Sequence, residues 1–102
     1  MGFEWDEDKS RLNIEKHGIS FETAQRIFES PVVTWRDARQ DYGEIRELSL
    51  GTVEEEVLLT VVHTDRDNTI RIISARVASQ KERRLFEDAK RKNALRIKGD
   101  EG

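Results

Sequence analysis

No cysteine occurs in the 102-residue chain, which excludes disulfide frameworks, thiol nucleophiles and thiolate-bound metals. Histidine is nearly as scarce. Only His17 and His63 are present, and neither stands at ligand spacing from other donors, so no metal and no cofactor is expected. A glycine-rich phosphate cradle and a His-Glu-x-x-His pattern are both missing, which removes two common catalytic signatures. The longest apolar run, Val57–Val62, is interrupted by Thr60 and is far too short to span a bilayer. The first residues are acidic and lack a signal-peptide core, so the expectation is a cytoplasmic protein with no membrane contact. Neither an internal repeat nor a linker is visible. One domain is expected over residues 1–94, with 95–102 fraying as a tail.

Charge, in contrast, is abundant. It makes up 38% of the residues against 35% hydrophobic, yet the apolar residues fall into periodic segments, as a folded domain requires. A net charge of −3 argues against a generally cationic nucleic-acid binder, but the sign is unevenly distributed. Residues 79–98 hold eight basic and three acidic side chains, whereas residues 1–78 hold ten basic and sixteen acidic. A basic C-terminal segment on an acidic body suits an acidic partner or phosphates, and equally a solvated helix of mixed charge.

The pattern along the chain predicts an α+β domain. Phe3–Trp5 alternates and can form a short edge strand. Asp6 has the chemistry of an N-cap, and Gly18 that of a left-handed C-terminal stop, which frames a helix over 7–17. Ser20 caps a second helix whose Phe21, Ala24, Ile27 and Phe28 repeat at helical spacing until Pro31 ends it. Four strands follow, Val32–Asp37, Ile45–Leu50, Glu56–Thr64 and Ile70–Val77, rich in β-branched residues. Their connections, Asp41–Gly43, Gly51-Thr52 and Asp65–Asn68, carry turn residues and favour an antiparallel arrangement. Ser79 and Glu82 form a capping-box pattern ahead of a last helix with Leu85, Phe86 and Ala89 as its apolar stripe.

The chemistry-bearing residues of note are arginines inside strands. Strict alternation puts Arg71 on one face with Ile73 and Ala75, and Ser74 and Arg76 on the other with Ile70 and Ile72. Arg46 interrupts the second predicted strand beside Leu48 and Leu50. A guanidinium in an apolar strand is costly unless it is paired or faces a groove. The structural reading is an ion pair with an acid such as Glu44, Glu55 or Glu4; the functional one is a phosphate site.

At these residues a family likeness appears. Phe3–Lys9, Asn13, Lys16–Phe21, Ala24 and Phe28 resemble the opening of BrnT toxins. Gly43–Arg46 with Gly51 is similar to the family's middle motif. Val62–Arg66, Ile70–Arg76, Glu82-Arg83 and Phe86-Glu87 are similar to its end. One departure is Phe86, which stands where a tyrosine is common and so removes a hydroxyl. The resemblance implies a RelE-like fold, an antiparallel sheet flanked by helices. With the elements read above, this means two N-terminal helices, a four-stranded antiparallel sheet to which a short N-terminal strand can add, and a C-terminal helix. It also implies a ribonuclease that slows translation, neutralised by a BrnA-like ribbon-helix-helix antitoxin that alone contacts operator DNA.

Metal-free RNA cleavage needs cations on the scissile phosphate, a base for the 2′-hydroxyl and an acid for the leaving oxygen. Within the implied toxin, Arg46 and Arg76 are assigned to the phosphate. His63 is a candidate acid or base, since a histidine ordinarily titrates at about 6.5, or else a half-buried strand residue. Ser74, Lys81 and Arg83 are assigned to RNA or phosphate binding, and Arg71, Lys90, Arg91 and Lys92 to the antitoxin. The alternative function is an inactive toxin-fold module that binds the antitoxin and assists repression.

Overall fold

The computed structural model describes residues 1–39 and 41–98. In chain order the elements are β1 (Gly2–Glu4), α1 (Glu7–His17), α2 (Phe21–Ala24), a 3-10 helix (Gln25–Glu29), β2 (Val33–Arg36), β3 (Glu47–Glu54), β4 (Val57–Arg66), β5 (Thr69–Val77) and α3 (Gln80–Arg91). None of the described helices is long and apolar enough to cross a membrane.

The helix ends follow local chemistry. Asp6 accepts hydrogen bonds from the backbone N–H groups of Asp8 and Lys9, and Gly18 stops α1 at φ 74°. Ser20 accepts from Thr23 N–H. The second helix is shorter than its periodicity predicts, because one α-turn gives way to 3-10 geometry. α1 buries no apolar stripe; only Ser10 and Asn13 are buried. Asn13 instead acts like a strand partner, donating to Ala75 O at 2.9 Å and accepting from Ala75 N–H at 3.2 Å. That bonding blunts the part of the β5 edge beyond β1.

The sheet has five strands in the order β1-β5-β4-β3-β2, and β1 runs parallel to β5. The short N-terminal edge strand expected near Phe3 forms, but its parallel pairing makes the sheet mixed and five-stranded instead of four-stranded and antiparallel. The chain leaves the sheet at β1 and crosses one face as α1, α2 and the 3-10 helix. It re-enters at the opposite edge, and the β2–β5 meander returns beside its starting point. Gly51 is not a turn residue but lies inside β3, and the hairpin turns at Glu55-Glu56. A Cβ there would stand 2.8 Å from Val32 Cγ1 and 2.9 Å from Ile27 Cβ, so glycine is what lets the 3-10 helix touch the sheet.

Two hydrophobic layers result. Phe21, Ala24, Ile27 and Phe28 pack on Leu59, Val61, Ile70, Ile72 and Ala75 beneath the N-terminal helices. On the other face Phe86 of α3 covers Leu50 and Leu58, with Trp35 and Leu95 alongside. The expected fraying past Ala94 does not hold for the described part of the tail. Arg96 and Val32 exchange two backbone hydrogen bonds, and Leu95 joins the second layer. Residues 99–102 lie outside the described residues.

Candidate active site

β5 does not alternate strictly. Val62 is opposite Ser74 and His63 is opposite Ile72, so Ile73 is a bulge with no partner. Every side chain before it changes face. Ile70 and Ile72 join Ala75 in the first layer, while Arg71 moves to the face of Ser74 and Arg76, contrary to the alternation argument. Arg71 meets Glu4 of β1 at 3.8 Å in an exposed pair of little energetic weight.

Arg76 emerges beside the start of α3. Its two terminal nitrogens donate to Glu82 at 2.7 and 2.8 Å, a bidentate fork. Glu82 also accepts from Thr60 Oγ1 at 3.0 Å and from Ser79 N–H at 2.8 Å, so the capping carboxylate ties β4, β5 and α3 together. Arg76, followed by the other donors, holds its carboxyl down at about 2. Opposite stands the β2–β3 loop. Asp37, its side chain almost wholly buried, accepts from Arg39 Nε and Nη2, both at 2.8 Å, and from the Tyr42 hydroxyl at 3.2 Å. Arg39 in particular lowers the Asp37 carboxyl to about 2.

Between these pairs lies a cleft of about 210 Å³, lined by Trp35, Arg36, Asp37, Ala38, Arg39, Leu48, Arg76 and Glu82. A groove of about 380 Å³ lies between the β3–β4 turn and α3, but Glu55, Glu56 and Glu87 on its walls oppose a phosphate. Of these two, the smaller cleft, with guanidinium groups on both sides, is the better anion site.

The sequence candidates are dispersed relative to this cleft. Arg76 lines it and Ser74 shares its sheet face. Arg46 lies in the loop before β3, its guanidinium 4.0 Å over the Tyr42 ring and 4.0 Å from Glu44, and it reaches the cleft only through Tyr42 and Asp37. Its Nε is buried without a partner among the described residues. Arg83 donates to Glu56 O in the acidic groove, away from Arg76. Lys81 is exposed on the first turn of α3. Lys90, Arg91 and Lys92 close α3, where Asp88 pairs with Arg91 at 2.8 Å and Lys92 at 3.0 Å.

His63 does not join Arg76. It is fully buried on the other side of the sheet, its ring in a T-shaped arrangement with that of Phe28 at 5.3 Å between centroids. Ser49 Oγ and Asp65 Oδ1 each lie 2.7 Å from its ring nitrogens, the constellation of a hydrolytic triad. Ser49 and His63 have no exposed surface, so no substrate reaches them. Burial pushes the Asp65 carboxyl up, but hydrogen bonds from His63 and Lys98 outweigh it and the net shift is downward. An ionised Asp65 only accepts, which assigns a proton to Nδ1. Glu47, His63 and Asp65 also form a possible metal-ligand cluster. The Lys98 ammonium bonds to both carboxylates there, at 3.2 and 3.0 Å.

Sequence reasoning gives no site role to Trp35, Asp37, Arg39 or Tyr42, and reads Glu82 as a cap and as part of the family likeness. The Asp37/Arg39 alternation after a tryptophan was the available signal.

Residues 5–82 match the family model described as ribonuclease toxin, BrnT, of type II toxin–antitoxin system. The chain belongs to the BrnT family. It also resembles the crystal structure of the Brucella abortus ribonuclease toxin BrnT at 25% identity and a TM-score of 0.61, covering 78% of this chain and 99% of that one. No curated protein matches it. BrnT membership makes the chain a type II toxin of ribonuclease class, with the five-stranded mixed sheet as its scaffold.

Proposed function

We propose that the chain is an endoribonuclease that cleaves RNA without a metal in the cytoplasm, and that a BrnA-type antitoxin neutralises it. The observation that carries this reading is the Arg76–Glu82 fork facing Arg39 across a cleft of about 210 Å³. A scissile phosphate entering the cleft competes with Glu82 for the Arg76 guanidinium. Once released, Glu82 loses the main cause of its depressed pKa and becomes a stronger base. It then takes the 2′-hydroxyl proton as the 2′-oxygen bonds to phosphorus. The bond from phosphorus to the 5′-oxygen breaks, and water protonates the departing oxygen. Arg76 stabilises charge on the phosphate, and Arg39 serves the same charge from the other wall. Arg46 positions this wall through Tyr42 and Asp37. His63 has no part in the reaction, because it is sealed on the opposite face.

A second reading has one observation in its favour. Two of the three guanidinium groups lining the cleft, those of Arg39 and Arg76, are already forked to carboxylates, as in a module that only binds its partner. Expression of the chain alone in a bacterial host separates the two. The toxin arrests growth with RNA loss, relieved by the adjacent antitoxin gene, and Arg76→Ala lowers cleavage about a hundred- to a thousandfold. Arg76→Lys restores part of it, since an ammonium lacks the fork. Harmless expression of a folded wild-type chain establishes the binding module instead. A folded Arg76→Ala chain that still arrests growth removes Arg76 from the active site.

A further inference from the structure

The cleft has a floor that phosphate binding does not explain. Trp35 and its cross-strand partner Leu48 line it between the Arg39 and Arg76 side chains. Trp35 packs partly against the second hydrophobic layer while keeping some of its surface in the cleft. It stands on β2, the edge strand, so the cleft opens at the side of the sheet. An indole held by a rigid sheet and flanked by two cations is a stacking platform with charge at its rim. The Arg39 guanidinium is itself braced by the buried Asp37 carboxylate, which fixes its direction although most of its surface is exposed. At about 210 Å³ the space is below the roughly 300–1,000 Å³ of sites for whole drug-sized ligands. It suits one ring and its phosphate.

We infer that this cleft is a single-base subsite for single-stranded nucleic acid, in which a base stacks on Trp35 and an adjoining phosphate is held by Arg39. The inference rests on the ribonuclease reading and adds to it a substrate form. A base inside a duplex is stacked on both faces and leaves neither for the indole, so the site selects unpaired RNA. Arg39 also repels Arg76 electrostatically, which an anion lying between them relieves.

The chain has only two tryptophans, so fluorescence can test this directly. In a Trp5→Phe chain the emission comes from Trp35 alone. It is titrated with an uncleavable 2′-O-methyl oligonucleotide and with an abasic strand of equal length. Should Trp5→Phe disturb folding, the difference between wild-type and Trp35→Phe spectra isolates the same signal. The expected result is quenching by the base-containing strand only. Trp35→Leu is expected to weaken binding about five- to a hundredfold. The Asp37→Asn, Arg39→Gln double variant leaves no buried unpaired carboxylate. It should reduce the slope of log affinity against log salt by about 0.7, the loss of one phosphate contact. An unchanged Trp35 signal, whether the strand binds elsewhere or not at all, overturns the subsite, as does equal quenching by the abasic strand. Cleavage of RNA measured on the same chains keeps the two claims apart. Cleavage with a silent Trp35 defeats the subsite alone, and quenching without cleavage defeats the ribonuclease mechanism alone.

Discussion

Glu82 shows how one carboxylate can serve a helix cap, an ion pair and a candidate base. Its group titrates near 4.5 when unperturbed and is held at about 2 in the fold, chiefly by Arg76. A depressed carboxyl stabilises the folded state above its unfolded pKa and stops doing so as pH falls through the folded value. The Glu82 contribution is therefore complete above about pH 5 and disappears toward pH 2, with a size on the order of 2 kcal/mol once solvent screening is allowed for. Chemical denaturation followed from pH 6 to pH 2 should show that loss, and Glu82→Gln should flatten part of it. Asp37, also held at about 2, keeps the remainder of the slope. If wild-type and Glu82→Gln lose stability in parallel across this window, the fork contributes nothing to the fold.

The elements are joined by a few close approaches. Gly51 in β3 lies against the 3-10 helix so tightly that a methyl group would overlap Val32 and Ile27. Gly51→Ala is expected to cost about 1–3 kcal/mol through overpacking, read as a lower denaturation midpoint with an unchanged slope. An unaltered midpoint would mean that the 3-10 helix can slide off the sheet freely. At the far end of α3, Lys90, Arg91 and Lys92 form a basic terminus whose only described ion-pairing acid is Asp88. If that terminus meets the antitoxin, charge reversal at the three positions should weaken the complex at low salt. The wild-type and variant affinities should then converge as salt rises. Equal affinities at low salt make the terminus a solvated helix end.

At the scale of the whole molecule the sheet separates two polar systems. The Arg76 cleft faces α3, while the Ser49–His63–Asp65 chain lies under the N-terminal helices. Lys98 joins Glu47 and Asp65 at its exposed end, and burial lowers its pKa less than the Asp65 and Glu47 charges raise it. The Glu47, His63 and Asp65 cluster is thus held by a lysine and stands on the wrong face to reach a phosphate in the cleft. RNA cleavage by the purified chain should persist in excess EDTA. Activity abolished by chelator and recovered with zinc or manganese would overturn the metal-free mechanism.

The sequence by itself determined what depends on neighbours a few positions apart. Asp6, Ser20 and Ser79 cap helices through bonds spanning two or three residues, and Gly18 ends α1 by its own backbone freedom. The β-branched runs were strands within a few residues of the expected bounds, and Glu44 and Glu4 were legible as arginine partners. Other features required the folded chain. Nothing in Ile72-Ile73-Ser74 marks a bulge; it arises because β5 must satisfy β4 on one side and two packed layers on its faces. The burial of His63 was hidden for the same reason, since a histidine in a strand reads identically whether Phe28 covers it or water does. The cleft brings together Arg39 and Arg76, thirty-seven positions apart by their numbering, only because β2 and β5 are placed by the intervening strands of one sheet. Local hydrogen bonding can be read from short spacing, whereas the side chains that share a groove are decided by long-range strand pairing.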